Sequence, residues 1–296
     1  MSATVGVLGP GGVGGTLAVR LALAGNRVIC VARAETAAAI AREGLTLECE
    51  GETLHVRPEA GAQLEEPVDL LLVTVKAFGL DDALERVDRA AVAEGVVLPL
   101  LNGLEHVDQI RRRLGPVVAV GSIGRLEAYR REATTIVQKT SPPVVTAAID
   151  SGLLETLARS LELLRSAGID ANLGVSEKSV LWEKAARLAP LAAVTSVTQR
   201  PLGELRTDSD WRQRLHAAVE EASAVAAADG VEISAAAQWE MIESMPATLT
   251  TSTARDVMAG RPSELDAIVG GVVRAGRRLR VPTPTLDNLL AQLERA

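Results

Sequence analysis

The stretch that decides the fold covers residues 4–33 and reads TVGVLGPGGVGGTLAVRLALAGNRVICVAR. Its apolar residues 5–8 are typical of a short buried strand, and a second β-prone run follows at residues 27–31. Between them, residues 16–24 favour a helix, which Gly25-Asn26 is expected to stop. The stretch therefore predicts a strand, a turn, a helix and a second strand in direct succession.

The turn after the first strand, Gly9-Pro10-Gly11-Gly12-Val13-Gly14, carries the pattern G-x-G-x-x-G. In such a turn Gly9 permits the tight bend, Gly11 lets the backbone approach a pyrophosphate, and Gly14 lets the helix pack closely on the strand. The pyrophosphate then meets free N–H groups at the helix N-terminus. Because the pattern follows a strand and opens a helix, it predicts a dinucleotide-binding unit and not a glycine-rich turn of another α/β fold.

The residue at the end of the second strand indicates which nicotinamide cofactor is bound. An acid there would bind the ribose hydroxyls of NAD, whereas a cation would bind the 2′-phosphate of NADP. The residue is Arg33, and the nearest acid, Glu35, is interpreted as a charge in the first turn of the next helix. Arg33 therefore predicts NADPH; the alternative is that it is only a solvated surface arginine.

Length and composition predict a soluble protein with two domains. The chain has 296 residues, of which 47% are hydrophobic, enough for two cores. A net charge of −7 argues against nucleic acid as a partner. Cys30 and Cys49 lack metal-ligand spacing, which predicts reduced buried thiols in a cytoplasmic protein and no metal. With no leader pattern and no run of about 18 apolar residues, neither export nor a membrane span is expected.

Two further apolar runs predict parallel strands that bring polar residues to one edge of the sheet. Residues 68–75 lead to Lys76, and residues 96–101 lead to Asn102. The carboxyl ends of parallel strands form the edge where open α/β sheets bind ligands. Residues 117–120 are expected to continue the sheet.

The remainder of the first domain is predicted to contain two hairpins. The first joins residues 45–49 and 53–56 and is expected as an insertion in the sheet. The second is expected between residues 134–137 and 144–146, with Ser141-Pro142-Pro143 as its turn. A helix at residues 152–167 and a short β run at 168–172 then close the domain.

Beyond Gly174 the sequence predicts helices separated by prolines and glycines. They are expected at residues 177–198, 208–229, 235–243, 251–258, 263–279 and 285–295. The step from sheet to helix predicts a hinge-like boundary at residues 173–176, with domains 1–174 and 175–296. A homodimer is an open expectation for a helical domain of this kind.

Two groups of residues in the helical domain could carry chemistry. Lys184 is a lone cation on an apolar helical stripe, so it is either an acid with a lowered pKa or a snorkelling surface lysine. Ser252 and Asp256 lie one turn apart, and Glu264 follows shortly after. The alternative is that Glu264 is an acid at a helix start and Asp256 an exposed charge. The three histidines are scattered, and no chemistry or metal is assigned to them.

The sequence resembles the ketopantoate reductase (2-dehydropantoate 2-reductase) family over nearly its whole length. The resemblance is carried by GPGGVGG (9–15), VTVKA (73–77), LNG (101–103), LWEKAA (181–186), PLGEL (201–205), STARDV (252–257) and SELD (263–266). It implies an α/β Rossmann-like N-terminal domain and an all-α C-terminal domain like that of 6-phosphogluconate dehydrogenase, with the active site in the cleft between them.

The resemblance also implies a role for individual residues. Lys184 would be the general acid and Glu264 its active-site partner, while Ser252 would bind the substrate carboxylate. Asn102 and Lys76 would contact cofactor and substrate, and Asp256 would be a supporting group in the substrate site. The implied reaction is the NADPH-dependent reduction of 2-dehydropantoate to pantoate, a step of pantothenate and coenzyme A biosynthesis.

Three positions depart from the family pattern, which typically has asparagines at these places of the substrate site. They are Leu188, Ala192 and Leu249. The departures leave two alternatives open: a reductase of a more apolar 2-oxo acid, or a catalytically silent NADP(H)-binding sensor. Retention of Lys184 and Glu264 argues against the sensor, which does not need a proton donor.

Overall fold

The computed structural model describes residues 3–140, 142–150 and 152–294. The chain folds into two compact units. The first unit contains residues up to Leu101 together with His106–Val180, and the second contains Asn102–Glu105 and the residues from Leu181 onward. The domain boundary predicted at residues 173–176 stays a prediction.

In the described residues, the first unit contains the strands and five complete α-helices. The strands are β1 (Thr4–Leu8), β2 (Arg27–Val31), β3 (Leu45–Cys49), β4 (Glu52–Val56), β5 (Glu59–Gly61), β6 (Leu70–Val73), β7 (Val96–Pro99), β8 (Val120–Gly124), β9 (Ala128–Arg130), β10 (Thr135–Gln138), β11 (Val144–Ala148) and β12 (Asp170–Leu173). The helices are α1 (Gly12–Leu23), α2 (Ala34–Glu43), α3 (Leu80–Leu84), α4 (His106–Leu114) and α5 (Leu154–Ser166), with 3₁₀ turns at Ala77–Gly79 and Arg89–Val92.

The main sheet is parallel and has the strand order β5-β2-β1-β6-β7. Its β6 and β7 are buried along their whole length, as expected for apolar strands covered on both faces. The glycine turn follows β1, and Lys76 lies three residues beyond β6. The predicted Rossmann-like sheet is confirmed, and it brings the turn and Lys76 to the same edge.

Two smaller sheets correct the predicted hairpins. The hairpin of β3 and β4 forms, but it belongs to a separate sheet with the order β4-β3-β10-β9 and is not an insertion in the main sheet. The hairpin predicted at 134–146 is wrong, because β10 pairs with β3 and β9 whereas β11 pairs with β8 and β12. Ser141 of its predicted turn lies outside the described residues.

The strand predicted at residues 117–120 is also corrected. Residues 117–119 extend the main sheet by a single parallel bridge, in which Val97 donates to the Val117 carbonyl and accepts from the Ala119 amide. The strand β8 starts at Val120 and belongs to the sheet β12-β11-β8. Alternation of apolar residues identifies a strand but not its partner, which depends on residues far away in the sequence.

The second unit is helical, as predicted. Its elements are α6 (Glu177–Thr198), α7 (Leu202–Thr207), α8 (Ser209–Ala228), α9 (Ala235–Ser244), α10 (Ser252–Met258), a π-helical turn (Asp266–Gly270), α11 (Gly271–Leu279) and α12 (Pro284–Leu293). The short α7 was not predicted, and the helix expected at 263–279 divides into the π-turn and α11. Small side chains such as Ala189, Ala193 and Ala222 are completely buried in the core of this unit.

Cys30 and Cys49 are both buried and unpaired with each other, as predicted. Burial raises the pKa of the Cys30 thiol to about 12, so this thiol is unreactive at neutral pH. Within the described ranges, none of the helices combines the length and hydropathy needed to span a bilayer.

Candidate active site

The glycine turn of the first unit is shaped by contacts with the strand beside it. Gly9 has a φ of +87°, a conformation that favours glycine. A Cβ on Gly14 would overlap the carbonyl oxygen of Gly9 and the hydroxyl of Thr74. Thr74 itself donates to the carbonyls of Leu8 and Gly9, at 3.0 and 2.8 Å. These contacts confirm the predicted packing role of Gly14, and they identify Thr74 as a support that the sequence did not reveal.

Gly11 and Gly12 differ in what surrounds them. A Cβ on Gly12 would overlap the carbonyl oxygen of Ala128 in β9, so packing explains this glycine. A Cβ on Gly11 would lie 4.0 Å from its nearest neighbour, the carbonyl oxygen of Gly9. In the part of the chain that the structure describes, no side chain caps the N-terminus of α1 and no acid lies in its first turn. The open face at Gly11 and this positive helix end both fit a pyrophosphate.

The other two candidate cofactor residues of the first unit are both exposed. Arg33 follows β2 and occupies the N-cap position of α2, while Glu35 lies in the first turn of α2. The interpretation of Glu35 as a first-turn charge is therefore confirmed. The Lys76 ammonium lies 5.9 Å from the centre of the Phe78 ring, within the range of a cation–π contact.

Lys184 lies on α6 in the second unit. The residue keeps some exposed surface, but its ammonium is enclosed by protein, and this burial lowers the pKa of Lys184 to about 8. The negative charge of Glu264 acts in the opposite direction, and the positive charge of Arg187 adds to the lowering. An ammonium of this kind gives up a proton near neutral pH, which suits a general acid.

Glu264 and Asn102 come together although 162 positions separate them in the sequence. Glu264 is buried, with 8% of its surface exposed, and precedes the π-turn. The Asn102 amide donates from Nδ2 to Glu264 Oε2 at 3.3 Å. The second unit therefore brings together an ammonium, a carboxylate and an amide from three distant segments.

Arg187 is a residue of this site that the sequence interpretation missed. Its Nη1 donates to Gln238 Oε1 at 2.6 Å, and Gln238 is buried on α9. Burial lowers the pKa of Arg187, but an arginine remains charged in proteins, so the permanent charge of Arg187 acts on Lys184 and lowers its pKa. The spacing of three residues from Lys184 on one helix is a signal that could have identified it.

Ser252 and Asp256 both lie on α10 but have different surroundings. Ser252 is exposed at the first position of the helix, where the Thr251 hydroxyl caps the Ala254 amide. Asp256 is buried, and Arg261 donates to its Oδ1 from Nε at 3.0 Å and from Nη2 at 2.9 Å. The alternative that Asp256 is an exposed charge is therefore wrong.

The three positions that depart from the family pattern are apolar in their surroundings as well. Leu188 and Leu249 are partly buried and pack against the core of the helical unit, and Ala192 is completely buried within it. Any substrate group that contacts Leu188 or Leu249 meets hydrocarbon instead of side-chain amides.

Two profiles of known protein families match the chain. The profile described as "Ketopantoate reductase PanE/ApbA" matches residues 5–151, and that described as "Ketopantoate reductase PanE/ApbA C terminal" matches residues 178–296. The chain belongs to the ketopantoate reductase family. The resemblance inferred from the glycine turn and the lysine-bearing helix is thereby confirmed, and the chain is a member of an oxidoreductase family with a Rossmann-like sheet unit followed by a helical unit.

Individual relatives in the ketopantoate reductase family are distant but match over nearly their whole length. The uncharacterized oxidoreductase YkpB of Bacillus subtilis is 26% identical, and the match covers 97% of both chains. A 2-dehydropantoate 2-reductase of Mesorhizobium japonicum is 27% identical over 98% of this chain and 96% of the relative.

Solved structures show the same fold. A PanE/ApbA family ketopantoate reductase from Ralstonia eutropha aligns with a TM-score of 0.88 at 27% identity, over 99% of this chain and 97% of the other. A D-mandelate dehydrogenase, solved with NADH and anilino(oxo)acetate, also has a TM-score of 0.88, with 99% and 97% covered, at 21% identity. The second likeness shows the fold alone, and structures with this fold therefore include proteins named for different substrates.

Proposed function

We propose that this protein is an NADPH-dependent reductase of a 2-oxo acid, with 2-dehydropantoate as the family's default substrate. The observation that carries the proposal is the enclosed Lys184 ammonium beside Glu264, with Asn102 bonded to the same carboxylate. A silent cofactor sensor would gain nothing from a proton donor of lowered pKa. With 2-dehydropantoate as substrate, the product pantoate would serve pantothenate and coenzyme A biosynthesis in the cytoplasm.

The cofactor would be held chiefly by the first unit. The turn from Gly9 to Gly14 would bind the pyrophosphate, Arg33 the 2′-phosphate, and Lys76 and Asn102 further groups of the cofactor. When bound, the nicotinamide supplies the hydride for reduction of the ketone.

The residues of the second unit would bind the acid and provide the proton. Ser252 would donate to the substrate carboxylate, and Lys184 Nζ would hold the proton that the ketone oxygen takes up during reduction. Glu264 favours the charged form of Lys184 and so keeps the acid loaded, whereas Arg187 makes the proton easier to release. Burial is the largest cause and lowers the pKa of Lys184 to about 8. A pKa this close to neutral pH suits a proton donor.

The test of this function is NADPH oxidation at 340 nm with a panel of 2-oxo acids. We expect turnover of at least one branched 2-oxo acid. Turnover of any member excludes the sensor, and absence of turnover with every member contradicts the reductase. The ranking of the panel decides between 2-dehydropantoate and a more apolar acid.

Arg33→Asp is expected to narrow or reverse the preference for NADPH over NADH, because the variant replaces a 2′-phosphate ligand with an acid that suits ribose hydroxyls. The ratio of kcat/KM for the two cofactors measures the effect. Arg42→Asp is the matched control, since Arg42 is an exposed arginine on α2 that pairs with its neighbour Glu43. Equal affinity of the native protein for both cofactors would show that Arg33 does not select NADPH.

Leu188→Asn is expected to shift the substrate preference toward 2-dehydropantoate. A buried substrate hydroxyl that meets leucine instead of an amide loses about 1–3 kcal/mol. The native protein should therefore prefer 3,3-dimethyl-2-oxobutanoate, which lacks the hydroxyl, and the asparagine should favour the hydroxylated acid. Leu188→Met keeps the surface apolar and should leave the ratio of kcat/KM unchanged. A native preference of about 10-fold or more for 2-dehydropantoate, equivalent to roughly 1.4 kcal/mol, rules out this role of Leu188.

A further inference from the structure

The segment Asn102–Glu105 is joined to the helical unit by an ion-pair cluster on its surface. Although the segment follows β7 and precedes α4 in the chain, it belongs to the second unit. Arg274 of α11 binds the Glu105 carboxylate from Nε at 3.0 Å and from Nη2 at 2.7 Å. The same guanidinium donates from Nη1 to Asp266 Oδ1 at 2.6 Å. We call Glu105, Asp266 and Arg274 the clasp.

The π-turn contacts Arg274 through its backbone as well as through the Asp266 side chain. The carbonyl oxygen of Asp266 accepts the amide of Gly271, five residues on, and also Nη2 of Arg274 at 3.1 Å. A Cβ on Gly270 would lie 2.7 Å from Asp266 Oδ1 and 2.9 Å from Arg274 Nη1, so a larger residue here would require these two side chains to shift. The π-turn, a rare geometry often found at functional sites, therefore coincides with the place where Arg274 binds.

Close to the clasp, the backbone at Gly103 packs directly against the backbone of the π-turn. Gly103 has a φ of +98°, and a Cβ there would overlap the carbonyl oxygen of Ala267 in the π-turn. Asn102 lies directly before this contact, and Glu264 lies two residues before Asp266. The clasp thus joins the two segments that carry Asn102 and Glu264.

The bond between Asn102 and Glu264 is longer than the shortest contacts that Arg274 makes with its two carboxylates. The distance of 3.3 Å from Asn102 to Glu264 is above the usual N···O range of an N–H···O bond. The shortest contacts of Arg274 are 2.7 Å to Glu105 and 2.6 Å to Asp266. The hydrogen bonds to Glu105 and Asp266 also raise the pKa of Arg274. Bidentate arginine–carboxylate pairs impose direction as well as attraction.

We propose that Arg274 is a positioning residue that acts through Glu105 and Asp266 to hold Asn102 against Glu264. Arg274, Glu105 and Asp266 retain 39%, 48% and 83% of their side-chain exposure. Ion pairs this exposed contribute little to folding stability, so the clasp sets local geometry and does not hold the unit folded. The kinetic part of the proposal rests on the proposed function, because it concerns the orientation of groups that act on the 2-oxo acid.

The first experiment compares Arg274→Met with Arg277→Met. Arg277 lies on the same helix and forms its own 2.6 Å ion pair with Asp287, away from the clasp. We expect Arg274→Met to lower kcat/KM by about 10-fold, since misplaced groups slow an oriented reaction, with an unchanged thermal midpoint. Arg277→Met should stay within about twofold of native. Arg274→Lys should recover only part of the loss, because an ammonium cannot bind two carboxylates in the same directed way. Equal activities of Arg274→Met and Arg277→Met would overturn the proposal.

A double-mutant cycle with Asn102→Ala distinguishes positioning from general damage. If Arg274 acts through Asn102, the loss caused by Arg274→Met should shrink to within about twofold when Asn102 is already removed. Two losses that multiply would show that Arg274 does not act through Asn102.

Hydrogen exchange tests the clasp independently of any turnover. In the segment that follows Glu264, the amide of Gly271 donates to the Asp266 carbonyl oxygen, which also accepts from Arg274. This amide should exchange faster in Arg274→Met than in the native protein, and at the native rate in Arg277→Met. If no 2-oxo acid is reduced by the native protein, the proposed function fails while this measurement still decides whether the clasp holds the segment. Unchanged exchange in Arg274→Met overturns the clasp even in an active enzyme.

Discussion

Lys184→Ala is expected to lower kcat by about 100-fold or more, the usual result of removing a positioned acid. NADPH affinity should change little, because the glycine turn belongs to the first unit and Lys184 to the second. Steady-state kinetics with the best acid of the panel and a separate NADPH titration measure the two effects.

The matched control is Lys178→Ala, which removes an exposed lysine from the same helix. It should retain nearly native kcat. A folded Lys184→Ala variant with near-native kcat would exclude Lys184 as the acid, and parallel losses in both variants would point to damage of α6.

The pH dependence provides a second readout of Lys184. Burial lowers the pKa of this ammonium to about 8, and Arg187 adds to the lowering while Glu264 opposes it. Reduction needs the protonated form, so kcat/KM should be level below about pH 8 and fall about tenfold for each pH unit above it. Lys184→Ala should lose this decline. A native profile that is level from pH 7 to 10 would contradict the assignment.

Gly11→Ala is expected to weaken NADPH binding by about 10-fold or more, equivalent to roughly 1.4 kcal/mol, and to leave folding stability near native. The reason is that a Cβ at this position meets no protein atom closer than 4.0 Å. The added methyl group would therefore oppose the proposed pyrophosphate and not the core. Cofactor titration and thermal unfolding without cofactor separate the two properties.

Gly14→Ala and Gly124→Ala complete this test. At Gly14 the new methyl group overlaps Gly9 and Thr74, and the free energy of unfolding should fall by about 1–3 kcal/mol. A Cβ on Gly124 has open space around it, and both properties should stay native. Native NADPH affinity in Gly11→Ala would show that the cofactor does not pass over this glycine.

Much of the fold follows from local pattern. The 3.6-residue period predicted α6 with its observed ends, and apolar runs predicted β2 and the buried β6. The partners of β10 and β11 could not be predicted in the same way, because both strands alternate alike and their partners lie in distant parts of the chain. The π-turn was missed because the period of its sequence continues into α11.

Some residues of the candidate site could likewise be predicted from the sequence, and others could not. Lys184 stood out as a charge on an apolar stripe, and Glu264 gained a role through the family resemblance. The burial of Asp256 was not evident, because its partner Arg261 lies in a loop after the helix and the exposed alternative fitted the local sequence equally well. Arg187 was overlooked although its spacing from Lys184 was available.

The sequence by itself determined the features that depend on near neighbours. Among them are the strand, glycine turn and helix of residues 4–33, the cation shortly after β2, and the change from sheet to helices. Only the tertiary structure decided which distant segments meet: Asn102 with Glu264, and Glu105 with Arg274. The physical reason is that helix and turn preferences act over a few residues, whereas these contacts join groups more than 160 positions apart and exist only after the chain has folded.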